Sequence, residues 1–99
     1  MPVRITAKHT TVSDSTKQHI EKVCAKLDQY FDRIVDCEVV LERRARHGTA
    51  VEIIVKVPQQ KLVGRAESDD DNLFKSIGAA SDHVSTQLKK YRDKLGAHR

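Results

Sequence analysis

The chain has 99 residues, of which 38% are hydrophobic and 4% aromatic, and its formal net charge is +4. This size predicts a single domain, residues 1–99, with a core built mainly from aliphatic side chains. We expect no membrane span and no secretory signal, because no apolar run reaches about 18 residues and no basic start precedes one. The two cysteines, Cys24 and Cys37, match no metal-ligand spacing, which favours reduced thiols in a cytoplasmic protein.

The first part of the chain reads as a strand followed by an amphipathic helix. Apolar and polar residues alternate over residues 3–8, which predicts a half-buried strand. Either Ser13 or Ser15 supplies the helix N-cap, and Ser15 has capping-box spacing to Gln18. We expect the helix to end near Asp32, where its apolar stripe stops. The stripe consists of Ile20, Val23, Cys24, Leu27, Tyr30 and Phe31.

The apolar period changes to two after Ile34, and this predicts three further strands. Two polar turns separate them, at residues 43–48, where Gly48 permits a turn, and at residues 58–60. The expected core-facing residues are Val35, Cys37, Val39 and Leu41, then Val51, Ile53, Val55 and Val57, then Leu62, Gly64 and Ala66.

A long amphipathic helix closes the chain. The carboxylates of Asp69 to Asp71 precede it, and this position favours capping and compensation of the helix dipole over a metal site. Its apolar face consists of Leu73, Ile77, Ala80, Val84, Leu88, Tyr91 and Leu95. The order β-α-β-β-β-α predicts an α+β two-layer sandwich, a four-stranded mixed sheet with both helices on one face. A right-handed crossover should make the first two strands parallel.

The side chains show no constellation for catalysis or metal binding. The five histidines are scattered, whereas a zinc site needs three or four convergent ligands. The chain has no glycine-rich phosphate loop and no serine in a nucleophile elbow. We therefore interpret it as a binding module, not an enzyme, with no cofactor and no small-molecule substrate.

The net charge is concentrated at the end of the last helix. Residues 89–99 contain five basic residues and one acidic residue, while the remainder holds thirteen of each sign. A basic end on an otherwise balanced chain favours a phosphate-rich partner. The other interpretation is a solvated tail whose lysines stabilise the negative end of the helix dipole.

Basic residues also recur at helical spacing along one flank of each helix. In the first helix they are His19, Lys22 and Lys26. In the last helix they are His83, Lys90 and Lys94, with the neutral Gln87 on the same flank. If the helices lie side by side, these flanks border a shared groove, with Lys8 and His9 at its rim. We expect all four aromatic residues in or beside the core, which favours recognition of RNA backbone and shape over stacking on bases.

Two stretches of the chain resemble a known family. KLDQYFDRI, residues 26–34, is similar to the end of the first helix in the short ribosome hibernation-promoting factors. QLKKYRDK, residues 87–94, resembles their C-terminal helix. These proteins are also called ribosome-associated translation inhibitors, and were historically described as modulators of an alternative sigma factor. The resemblance covers essentially the entire chain and extends to the order of its elements.

The resemblance implies a fold, a partner and an activity. It implies a free monomer that binds the small ribosomal subunit and its rRNA in the channel for mRNA and tRNA. It implies inhibition of translation in stationary phase or stress. The residues that match the family's rRNA contacts are Lys8, Lys22, Lys26, Lys89, Lys90, Arg92 and Lys94, with His83 where the family often has lysine.

The chain departs from the family pattern at two more positions. Gly78 stands where an acidic residue is usual and should cost the helix up to about 1 kcal/mol relative to alanine. Asn72 stands where aspartate is typical, so Asp71 is the expected alternative cap.

The resemblance leaves the exact role open. The residues Tyr30 to Ile34, and the lack of a long tail after Lys94, favour the members that promote inactive ribosome dimers over those that hold single ribosomes inactive. Two other functions compete with ribosome hibernation. One is a generic double-stranded-RNA-binding module, and the other is a protein-interaction domain that acts on a sigma factor.

Overall fold

The computed structural model describes residues 1–44, 48–67 and 72–96. The elements are β1 (Val3–Lys8), α1 (Asp14–Leu27), β2 (Asp36–Arg43), β3 (Thr49–Val57), β4 (Gln60–Ala66) and α2 (Leu73–Gly96). The strands form one sheet in the order β1-β2-β3-β4. β1 is parallel to β2, and the other neighbours are antiparallel. The predicted α+β fold, with its mixed sheet, is confirmed.

The core lies between the sheet and the helix layer. Its strand residues, each at most 1% exposed, are Cys37, Val39, Leu41, Val51, Ile53, Val55 and Val57. α1 contributes Ile20 and Leu27, and α2 contributes Ile77 and Leu88, all fully buried. Each such aliphatic side chain contributes about 1.5–3 kcal/mol through burial, so the core is held by the aliphatic residues that the composition predicts.

Ser13 is the N-cap of α1. Its Oγ accepts a hydrogen bond from the Thr16 backbone N–H at 3.2 Å. The Ser15 hydroxyl lies 3.1 Å from Ser13 Oγ. Of the two serines proposed from the sequence, Ser13 is therefore the cap, and the capping box of Ser15 with Gln18 is wrong.

α1 ends at Leu27, well before the predicted end near Asp32. The Tyr30 backbone N–H donates to the Leu27 carbonyl, three residues back, and this tighter bonding ends the helix. The apolar pattern continues beyond the helix because Phe31 is still buried, edge-to-face with Tyr91 at a centroid distance of 5.2 Å. The apolar pattern over residues 30 and 31 therefore reflects burial of side chains and not a continuation of the helix.

Two predicted core residues are exposed. Val35 precedes β2 and is 48% exposed, although its backbone N–H donates to the Lys56 carbonyl at 2.8 Å. Leu95 is 37% exposed because α2 extends past the sheet. The 24 residues of α2 span roughly 36 Å, whereas the 7 residues of β4 span roughly 23 Å.

Gly64 permits the close approach of α2 to β4. A Cβ at this position would lie 2.2 Å from the Ala80 carbonyl oxygen and 2.7 Å from the Val84 nitrogen. Any side chain at residue 64 would therefore push the helix away from the sheet. The predicted place of Gly64 on the inner side of the fourth strand is confirmed.

Asn72 caps α2, since its Oδ1 accepts a hydrogen bond from the Lys75 backbone N–H at 3.1 Å. The family departure at this position thus keeps the capping function. The carboxylates of Asp69 to Asp71, and residues 45–47 of the first turn, lie outside the described residues. Gly48, in the same turn, has a φ of 48°, as a turn glycine does.

No helix in the described part of the chain is both long and apolar enough to span a bilayer.

Candidate nucleic-acid interface

α1 and α2 lie side by side, and two ring contacts show how they are aligned. The imidazole of His19 stacks on the ring of Phe74, with centroids 4.1 Å apart and planes 10° from parallel. Beyond the end of α1, the Lys89 ammonium lies 4.7 Å from the centroid of the Tyr30 ring. Early residues of α1 meet early residues of α2, and late residues meet late ones, so the helices run in the same direction.

Apart from the exposed Lys17, which lies on the acidic flank, the charges of α1 are segregated across the helix. His19 faces α2, and helical spacing puts Lys22 and Lys26 on the same flank. Both lysines are exposed. The acidic residues of this segment recur every seven positions on the other flank, and they are Asp14, Glu21 and Asp28. α1 therefore presents its positive side toward α2.

α2 completes this positive surface with Lys89 and Arg92. Lys89 contacts Tyr30, and Arg92 is three residues further on, at helical spacing on the same flank. Both side chains are exposed, and Arg92 lies only 3.4 Å from its neighbour Asp93. We call the surface between the helices the helix seam. It consists of Lys22, Lys26, Lys89 and Arg92 with the rings of Tyr30 and Phe74.

The other flank of α2 is attached to the edge strand of the sheet. The His83 Nδ1–H donates to the Arg65 carbonyl at 2.8 Å, and Gln87 Nε2 donates to the Val63 carbonyl. One turn later, the Tyr91 hydroxyl donates to the Pro58 carbonyl at 2.6 Å. These three side chains, four residues apart, fix the rotation of α2 about its axis.

This rotation of α2 determines which of its basic residues lie next to α1. Lys90 and Lys94 share the flank of His83, so they lie over β4 and away from α1. The basic flank of α1 faces α2, but the basic flank of α2 faces away from α1. The predicted groove between these two flanks is therefore wrong. Lys89 and Arg92, which the resemblance also predicts as rRNA contacts, complete the seam instead.

Lys8 lies on the face of the sheet opposite the helices. It is in register with Glu42, while Val3 and Ile5, of the other parity, pack against the core. With Glu52 and Arg65 it lines a cleft of about 130 Å³ on that open face. The structure thus separates Lys8 from the seven predicted contacts on the helices.

The open face of the sheet holds charges of both signs that pair with one another. Arg65 bonds Glu52, and this hydrogen bond, together with the charge of Glu52, raises the pKa of Arg65. Arg44 lies 3.0 Å from Glu67. These arginines are therefore partly neutralised by carboxylates, as Arg92 is by Asp93 in the helix seam.

Phe74 is 45% exposed, which corrects the expectation that every aromatic residue belongs to the core or its edge. Leu73 and Ile77 pack toward the core, and Phe74 falls beside them, toward α1. In the sequence, Phe74 can be identified as a residue outside the core because it is one position away from Leu73 in the apolar stripe of α2. Sequence reasoning missed it because a phenylalanine next to a stripe is usually buried.

Among residues 1–44, 48–67 and 72–96, no group of three or more His, Cys, Asp or Glu side chains is placed to hold a metal ion.

Comparison with known proteins identifies the family. Residues 3–96 match the sigma 54 modulation protein / S30EA ribosomal protein family. The chain belongs to this family. Its S30EA-family relatives include the ribosome hibernation promotion factor of Bacillus subtilis, 25% identical over 95 residues, which are 96% of this chain and 50% of that protein. The ribosome hibernation promoting factor of Pseudomonas putida is 27% identical over 94 residues, 95% of this chain and 89% of that protein.

Solved structures of S30EA-like proteins have the same fold. A ribosomal subunit interface protein from Coxiella burnetii has a TM-score of 0.83 at 24% identity, over 94% of this chain and 99% of that one. The N-terminal domain of Thermus thermophilus Protein Y has a TM-score of 0.78 at 27% identity, over 92% and 99%. The chain spans about half of the Bacillus subtilis relative and nearly all of that N-terminal domain.

Proposed function

We propose that this protein is a ribosome hibernation factor. It binds the small ribosomal subunit at the mRNA and tRNA channel and inhibits translation in stationary phase or stress. Family membership and the names of the relatives support a role at the ribosome. The structural observation that carries the proposal is the helix seam, where four exposed cations lie along one side of the fold.

The seam suits an RNA backbone for electrostatic reasons. Lysine and arginine heads bind phosphate oxygens and so position a protein on a nucleic acid without reading its sequence. The release of condensed counterions then drives binding and makes affinity fall with salt. The acidic residues of α1 lie on its far flank, so they do not oppose a phosphate in the seam.

The outer flank of α2 supplies further contacts in this proposal. Lys90 and Lys94 are exposed and extend the positive surface from the seam toward β4. His83 contributes less than a lysine would, because its Nδ1–H is engaged by the Arg65 carbonyl and Nε2 alone is left for rRNA. Lys8 lies on the other face of the sheet and is not part of the surface proposed here.

The protein acts by occupancy in this proposal, so it turns over no substrate and needs no cofactor. It is a free monomer in the cytoplasm until it meets a ribosome. Once bound, it excludes mRNA and tRNA from the channel. We extend the proposal to inactive ribosome dimers, and the sedimentation experiment below tests that part separately.

The proposal is tested with vacant small subunits and a reconstituted translation system. We expect the wild-type protein to bind the subunits and suppress translation. The double variant Lys22→Gln/Lys26→Gln should bind more weakly, with a salt slope flatter by about one to two units, since each lost phosphate contact accounts for about 0.7–0.9. Full translation at saturating wild-type protein would overturn the proposal.

The open face of the sheet provides a matched control. Lys56 and Lys61 are exposed and in register across β3 and β4, so Lys56→Gln/Lys61→Gln removes the same charge from the other side of the molecule. This control should keep nearly all of the affinity and the salt slope. An equal loss in both variants would mean that overall charge, and not the seam, governs binding.

Sedimentation of stationary-phase extract shows which particle carries the protein. Comigration with ribosome dimers supports the dimer-promoting role, and comigration with single ribosomes contradicts it. Bulk duplex RNA added to purified small subunits should not displace the protein. Displacement would favour a generic double-stranded-RNA-binding module.

A further inference from the structure

Among the described phenylalanine and tyrosine side chains, Phe74, which stacks on His19, is the most exposed. The two rings are nearly parallel, with centroids 4.1 Å apart. The imidazole covers one face of the phenyl ring, and Phe74 is nevertheless 45% exposed. Part of an aromatic ring therefore opens to solvent at one end of the helix seam.

Core packing does not require this ring. Leu73 and Ile77 pack against the core at the start of α2, and Phe74 lies beside them against His19, itself only half-buried. Tyr30, at the opposite end of the seam, has a different environment, because the Lys89 ammonium occupies a face of its ring. The ring of Phe74 has a stacking partner on one face and is nearly half exposed.

The neighbours of this ring are suited to a nucleotide. Lys22 lies three residues after His19 on the same flank of α1, and Lys26 follows one turn later. A base placed on Phe74 would lie beside the flank of α1 that carries these lysines, where their ammonium groups could bind its phosphates. An apolar side chain placed there would gain nothing from either cation.

We propose that Phe74, backed by His19, is a stacking platform for one unpaired nucleobase of rRNA. This inference rests on the proposed function and adds to it a contact with a base, beside the contacts with the backbone. Every base has a π-face, so the platform selects for an unpaired nucleotide and not for a particular base. The base extends the existing His19–Phe74 stack by a third layer.

The variant Phe74→Leu tests the platform, because leucine keeps the apolar character and removes the flat ring. We expect its affinity for vacant small subunits to fall about 5- to 100-fold, the range for loss of one stacked base. The salt slope should stay at the wild-type value, since no phosphate contact is lost. Phe74→Trp should restore the affinity. Val35→Ala, at a residue of similar exposure away from the seam, is the control and should bind like the wild type.

Chemical probing of the complex identifies the occupant directly. Dimethyl sulfate reports on bases and hydroxyl radicals report on the backbone. At saturating protein, Phe74→Leu should leave the backbone protection unchanged, while one unpaired base regains reactivity.

Wild-type affinity in Phe74→Leu would overturn the platform, since an apolar contact with a ribosomal protein tolerates leucine. Weakened binding with unchanged base protection would overturn it as well. In either case the wild-type protein still binds small subunits, so the proposed function stands. If the wild-type protein itself does not bind, the proposed function fails first.

Discussion

The sulfur atoms of Cys24 and Cys37 lie 3.5 Å apart, where α1 meets β2, and both side chains are fully buried. The predicted burial of both cysteines is thereby confirmed. The Cys37 thiol donates to Cys24 Sγ, and this hydrogen bond, together with burial, raises the pKa of Cys37 far above its ordinary value. The same hydrogen bond lowers the pKa of Cys24, so it is Cys37 that holds its proton more tightly where the helix that carries Lys22 and Lys26 meets the sheet.

The first prediction concerns pH. Above about pH 8.5 an unfolded chain releases the Cys37 proton, whereas the folded protein retains it. The unfolded state then binds fewer protons than the folded state, so the free energy of unfolding should fall as pH rises. The slope is about 1.4 kcal/mol per pH unit for each proton that only the folded state retains. Urea unfolding in reductant from about pH 8.5 to about pH 10 measures this, because the lowered pKa of Cys24 acts in the opposite direction at lower pH. Cys37→Ala should show a shallower slope, and an equal slope in both proteins would contradict the assignment.

The second prediction uses one substitution at two glycines. Gly64→Ala should destabilise the fold by about 1–3 kcal/mol, because the new methyl group meets the Ala80 carbonyl. Gly78→Ala should stabilise it by roughly 0.5–1 kcal/mol, because nothing lies within 4 Å of the added Cβ and alanine favours the helix. Urea unfolding of both variants checks the signs. Destabilisation by Gly78→Ala would contradict the open environment of that residue.

The third prediction separates the two candidate caps of α1. Ser13→Ala removes the acceptor of the Thr16 N–H and should cost about 0.5–2 kcal/mol. Ser15→Ala, at an exposed position in the first turn, should change the stability by less than about 0.5 kcal/mol. Thermal unfolding of the two variants side by side provides the comparison. A larger loss for Ser15 would return the capping role to that residue.

The fourth prediction concerns the outer flank of α2. Lys90→Gln/Lys94→Gln should weaken binding to small subunits and flatten the salt slope by about one to two units. The loss of affinity should be smaller than for Lys22→Gln/Lys26→Gln, since those lysines lie in the seam. Stability should change by only tenths of a kcal/mol, because the charges are exposed. If the α2 pair alone governed affinity, the RNA would lie over β4 and not in the seam.

The periodicity of the sequence was sufficient for the fold. The change of apolar period after Ile34 and the alternation in each strand reflect burial on one face, and burial is what orders a two-layer sandwich. The same reasoning placed the end of α1 too late, because Phe31 is buried in a turn just as it would be in a helix. Burial patterns define which side chains point inward, but not where the backbone bonding stops.

The interface could be predicted only in part. Helical spacing correctly groups Lys22 with Lys26 and Lys90 with Lys94, yet it contains no information on which neighbour a flank faces. For α2 that is decided by hydrogen bonds from His83 and Gln87 to carbonyls of β4, which are tertiary contacts. Lys8 is different, because strand alternation already separated it from Val3 and Ile5, and so from the helix side.

The attachment of α2 to β4 also limits how copies of this chain can associate. The outward carbonyls of Val63 and Arg65 are occupied by side chains of α2, so this edge of the sheet is blocked to an incoming strand. Within the described sheet, β1 is then the edge left for strand addition. When two copies pair through β1, the free strand edge of each copy is occupied. Strand addition therefore stops at two copies and cannot continue into a fibril.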